Sequence, residues 1–92
     1  MLETAFIHVT PGQEDDFLAA LEDAKNVLAQ AKGWKGITVK RGVERNSTFM
    51  LAIEWETLEN HTVDFREGPL FPQWRAIIGP FFASAPDVEH WR

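Results

Sequence analysis

Residues 54–82 read EWETLENHTVDFREGPLFPQWRAIIGPFF. A strand ending in Trp55 runs into a helix carrying His61 and then into an aromatic-rich segment. Trp55, Phe65, Phe71, Trp74, Phe81 and Phe82 gather around one histidine, more aromatic surface than a small fold needs for its core alone. The strand is the clearest in the chain: over Thr48 to Glu56, Phe49, Leu51, Ile53 and Trp55 alternate with Met50, Ala52, Glu54 and Glu56. Thr57 is placed to N-cap a helix through about Arg66, on which Leu58, His61 and Phe65 share a face. Gly68-Pro69 interrupts that helix, and Leu70 to Ile78 reads as helical again until Gly79-Pro80.

Working outward, Leu2 to Val9 is a first strand closed by the turn Thr10-Pro11-Gly12. It carries Leu2, Phe6 and His8 on one side and Ala5, Ile7 and Val9 on the other. Glu14 to Ala31 spaces Phe17, Leu21, Ala24, Leu28 and Ala31 as one apolar helical stripe, with acids in the first turn, Lys32 near the end and Gly33 as the cap. Trp34 to Val43 is a second strand with Ile37, Val39 and Val43 on one side, and Gly36 and Gly42 mark bulges or close backbone approach. Pro86 to Trp91 supplies a short last strand. The order βαββαβ predicts an α+β, ferredoxin-like domain over residues 1–92: two helices on one face of a four-stranded antiparallel sheet. The other face keeps apolar residues, so sheet-to-sheet pairing of two copies is expected, with cover from the same chain as the alternative.

Composition narrows the function. A 92-residue chain buries only about 60 to 65% of its unfolded surface, which also favours a homodimer. The net charge of −5 argues against nucleic acid. Lys32, Lys35, Lys40, Arg41 and Arg45 do cluster, but without aromatic interleaving they read as a solvated strand and turn. The absence of cysteine removes disulfides, thiolate nucleophiles and cysteine-based metal sites. The start of the chain has no basic segment before an apolar run, and the longest apolar run, Ala76 to Ala85, is too short for a membrane span. A cytoplasmic protein is expected.

Among groups that carry chemistry, His61 is the leading candidate. A half-buried imidazole near a helix start is pushed toward its neutral form, which suits a general base or hydrogen-bond partner; the alternative is a histidine that bonds a backbone carbonyl and closes the helix. His8 is placed to line the same cavity or a dimer seam, and His90 to lie at an interface or the surface. The three histidines with Glu54 and Glu56 lack metal-ligand spacing, so no metal is expected. No glycine-rich fingerprint follows a strand, so no dinucleotide or flavin is expected either. Trp55, Phe65, Phe71 and Trp74 read either as core or as the walls of a pocket for an aromatic ring, with Arg66 or Arg75 at its rim to hold a phenolate or carboxylate.

The run Trp55-Glu56, Leu58-Glu59-x-His61, Phe65-Arg66, Pro69-x-Phe71, Trp74-Arg75 and Gly79-Pro80-Phe81-Phe82 resembles the antibiotic biosynthesis monooxygenase (ABM) domain family. The resemblance extends over nearly the whole chain. It implies a dimeric α+β barrel and a monooxygenase that oxidises a small phenolic, quinol or polycyclic aromatic with molecular oxygen and no cofactor. On that implication His61 is the base or hydrogen-bond partner, and Trp55, Phe65, Phe71, Trp74, Arg66 and His8 contact substrate. A related branch degrades haem with a strand-one asparagine, a helix tryptophan and a histidine. The approximately matching places here hold Ala5, a residue near Asp64 or Phe65, and Trp74, so haem breakdown is not expected, and haem binding through His61 from a different position is the lesser alternative. The alternative from another class is a non-catalytic or stress-associated module that binds a small apolar molecule in the same pocket.

Overall fold

A computed structural model describes all 92 residues. Strand β1 (Leu2–His8) is followed by helix α1 (Glu14–Leu28), strands β2 (Trp34–Arg41) and β3 (Thr48–Trp55), a π-helical segment (Asn60–Phe65), helix α2 (Leu70–Ile78), a short 3-10 turn (Gly79–Phe81) and strand β4 (Asp87–Trp91). The sheet order is β2-β3-β1-β4, antiparallel throughout, as the ferredoxin-like plan requires.

Period-two alternation fixes which face is covered. Glu3, Ala5 and Ile7 from β1 and Val9 just beyond it join Phe49, Leu51, Ile53 and Trp55 from β3 in the buried layer. Phe17, Leu21, Ala24 and Leu28 of α1 and Trp74 and Ile78 of α2 close over that layer. The opposite face carries Leu2, Phe6, Met50 and Ala52, none fully buried, and Trp91, which is 49% exposed.

Three sequence expectations change. Helix α1 ends at Leu28 with Ala29 as its cap, so Gly33 does not cap it. Gly33 instead takes φ +77° and lies against the side chain of Asn60. Val43 falls beyond β2 and is exposed, because the chain turns back at Gly42, where a Cβ would stand 2.4 Å from the carbonyl oxygen of Arg45. Gly36 does mark a bulge, the register of β2 against β3 slipping between Trp34 and Gly36.

The third change matters most for the site. The expected α-helix after Thr57 widens into a π turn, in which the amide of Arg66 donates to the carbonyl of His61 five residues back at 3.0 Å. Its start is capped as expected: the Asn60 amide donates to Oγ1 of Thr57 at 3.2 Å, and the Thr57 amide donates back to Oδ1 of Asn60 at 2.9 Å. The wider turn brings Asn60, His61 and Phe65 onto one inward face, and all three are buried.

Candidate active site

Between the sheet and the π segment with α2 lies a cavity of about 460 Å³, lined by apolar residues with a few polar groups among them. That size suits a small organic ligand. Its walls come from β1 and β3 below and from Phe65, Phe71 and Trp74 above, with Phe82 and Val88 closing the far side.

The aromatics pack against one another as a connected wall. Trp55 stacks on the imidazole of His61 at 5.5 Å between centroids and 23° between planes. Phe65 lies 5.5 Å from Trp55 and meets Phe71 edge-on at 5.7 Å and Trp74 at 6.3 Å. Arg66 holds its guanidinium 5.5 Å over the Phe71 ring, and Arg66 and Arg75 both reach the cavity from exposed positions. A cation at the mouth and π faces inside are what a phenolate or aromatic carboxylate needs.

His61 sits at the inner end, 4% exposed. Its Nδ1 lies 2.8 Å from Nε2 of His90 in a hydrogen bond, and its Nε2 lies 3.4 Å from Oε1 of Glu3. The same Glu3 oxygen accepts from the indole Nε1 of Trp55 at 3.0 Å. Glu3 is itself 5% exposed, an acid in an apolar layer where ionisation is penalised.

Burial pushes the Glu3 carboxyl up to about 7, against the lowering effects of the Trp55 hydrogen bond and the Arg66 charge. Burial also pushes His61 down to about 4, assisted by the charges of His90 and Arg66. The spacing of Glu3 and His61 is that of an ion pair, yet both shifts favour the uncharged forms. Near pH 6 the contact is therefore between a carboxylic acid and a neutral imidazole, since desolvation outweighs attraction at this depth. At pH 7 Glu3 stands close to half-ionised, poised to accept or release a proton.

The structure brings together His61, Trp55, Phe65, Phe71, Trp74 and Arg66 around one cavity. His8 does not join them. Its parity on β1 turns it to the opposite face, where Nε2 pairs with Oδ2 of Asp87 at 3.0 Å beside Phe6, outside the aromatic cavity. His90, expected at an interface or the surface, is exposed but reaches back to His61 because β4 pairs it with Glu3.

Sequence reasoning missed Glu3. The signal was present: an acid at a position sharing the parity of Ala5, Ile7 and Val9, on the side of β1 that proves to be covered. No group of three or more histidine or acidic side chains is arranged to hold a metal ion.

Comparison with known proteins agrees with this architecture. A protein from Bordetella bronchiseptica, carried under the name of a candidate antibiotic biosynthesis monooxygenase, superposes with a TM-score of 0.96 at 38% identity, covering 99% of this chain and 93% of the other. The uncharacterised protein YczJ of Bacillus subtilis is 32% identical over 90 residues, which is 98% of this chain and 95% of YczJ. A conserved protein from Methanosarcina mazei shares the fold at a TM-score of 0.81 and 13% identity, over 99% of this chain and 89% of its own. The family model for antibiotic biosynthesis monooxygenase matches residues 1–77, from the strand that holds Glu3 through the helix that holds Trp74, and the chain belongs to that family.

Proposed function

We propose that this chain is a cofactor-independent monooxygenase acting on a small phenolic, quinol or polycyclic aromatic compound. The observation that carries the reading is a cavity walled by Trp55, Phe65, Phe71 and Trp74 into which a buried imidazole and carboxyl both open. The ring stacks on the aromatic wall, and Arg66 or Arg75 holds an acidic oxygen at the rim. The His61–Glu3 pair takes the substrate proton, leaving an electron-rich anion that reduces oxygen directly. For an anthrone-type methylene, one oxygen atom becomes the new carbonyl and the other leaves as water with the two displaced hydrogens. The substrate supplies all the electrons, and the protein orients the ring and excludes water.

A homodimer is part of the proposal. Leu2, Phe6, Met50, Ala52 and Trp91 form an apolar strip on a sheet face that no helix of the chain covers, and a second sheet is the cover that matches it.

The test is an oxygen-electrode assay of the purified protein with a panel of anthrones and hydroquinones, run beside His61→Ala. Uptake that drops about a hundredfold in the variant supports the reading. Undiminished turnover in His61→Ala would remove that residue from the reaction. Tight binding of these compounds without oxygen uptake would instead identify a non-catalytic binding module.

A further inference from the structure

The three side chains Glu3, His61 and His90 form a continuous line from the cavity to solvent, and the proposed reaction uses only its inner part. Glu3 and His61 both line the cavity, His61 as a buried ring stacked on Trp55, and His90 stands exposed on the edge strand β4. Adjacent members are 3.4 Å and 2.8 Å apart, through opposite nitrogens of the His61 ring. The longer of these gaps is a close approach and not yet a hydrogen bond; such contacts commonly tighten when a site fills.

We propose that these three residues are a proton conduit, with Glu3 as its inner terminus, His61 as the relay and His90 as the outlet to bulk water. The assignment deepens the oxygenase reading and rests on it for the source of the proton.

Each transfer balances. A substrate hydroxyl gives its proton to the Glu3 carboxylate, leaving an anionic ring. Glu3 then passes a proton to Nε2 of His61 while Nδ1 of the same ring releases its proton to Nε2 of His90. His90 gives up its Nδ1 proton to water. The concerted step leaves His61 neutral throughout, with its two nitrogens exchanging roles, so no imidazolium forms inside the apolar layer. The depressed basicity of His61 agrees with such a relay, since a cation trapped there would stall it. The line is framed by the Trp55 indole on the Glu3 oxygen and by the Arg66 charge, which acts on both Glu3 and His61.

The test reads the substrate-free protein. With glutamate labelled at the side-chain carboxyl carbon, the Glu3 resonance is followed by NMR across its titration, and the rate of proton exchange with water is taken from the line shape. In wild type the exchange is fast. His90→Gln can still hydrogen-bond His61 but cannot pass a proton, and exchange at Glu3 is expected to slow about a hundredfold. Free imidazole added to that variant restores the rate, a rescue that a merely structural role for His90 would not show. His90→Phe, which removes the hydrogen bond as well, gives the same slowing. Equal exchange rates in wild type and His90→Gln overturn the conduit, whatever the oxygen assay gives. Slow, imidazole-rescued exchange in a protein that consumes no oxygen would uphold it while removing the oxygenase reading.

Discussion

The Trp55 indole donates to the Glu3 carboxyl at 3.0 Å across neighbouring strands, the one neutral hydrogen bond that satisfies a buried acid whether or not it is charged. It lowers the basicity of Glu3 but does not undo the effect of burial, which leaves the carboxyl at about 7 against an ordinary 4.5. The shift has a thermodynamic signature. A carboxyl that holds its proton more firmly when folded stabilises the native state fully below pH 4.5 and loses that contribution as pH rises to about 7. The size is roughly 3 kcal/mol. His61 acts with the opposite sign: its contribution is present above 6.5 and lost as pH falls toward about 4. Wild-type stability therefore stays comparatively flat between pH 4.5 and 6.5, because the two slopes offset. Urea denaturation of Glu3→Gln should show stability rising with pH across that window, and of His61→Gln falling with it. Parallel curves for all three proteins would contradict the burial argument.

Arg66 bears on both groups from the π segment. Removing its charge in Arg66→Ala raises the basicity of Glu3 and of His61 together, because a nearby cation favours a carboxylate and disfavours an imidazolium. Carboxyl and imidazole NMR titrations check the common direction. A shift in one group alone would mean that Arg66 acts on only that group.

Gly33 has no room for a side chain. A Cβ there would stand 2.0 Å from Oδ1 of Asn60, and the positive φ adds backbone strain for any other residue. Gly33→Ala is expected to cost about 1 to 3 kcal/mol and to displace Asn60, whose carbonyl oxygen caps the Thr57 amide. Since His61 follows Asn60 in the same turn, loss of ring-current shifts from Trp55 on the His61 protons would accompany the destabilisation. An alanine variant as stable as wild type would refute the close approach.

On the open face of the sheet, Phe6 sits directly across from Met50. Phe6→Glu places a charge in the strip proposed as the dimer seam, so light scattering should give the mass of a pair for wild type and of a single chain for the variant. A monomeric wild type would leave that face without its proposed partner.

Much of this is legible in the sequence, because the deciding signals are local. Phe49 to Trp55 alternate with period two whatever surrounds them, and Phe17 to Leu28 keep a helical stripe. His61 and Phe65 four residues apart also had to share a face. What escaped was set by long-range pairing. Glu3 is an inner residue because β1 lies between β3 and β4, and His90 meets His61 because antiparallel register brings it opposite Glu3, 87 positions away in the chain. Parity divided β1 into Leu2, Phe6 and His8 against Ala5, Ile7 and Val9, but parity alone does not say which side the helices cover, and that choice moved His8 away from the aromatic cavity. The π turn was invisible for a similar reason: its widening buries Asn60 beside His61, and Asn60 is held there by Thr57, Asp64 and the bare backbone of Gly33.

Strand β4 is five exposed residues long and bonded along one margin only. Such a margin frays more readily than the centre of the sheet. Each time it peels away, His90 leaves with it while His61 stays against Glu3, so the lifetime of a few edge hydrogen bonds sets how long the inside of this protein stays in electrical communication with the water outside.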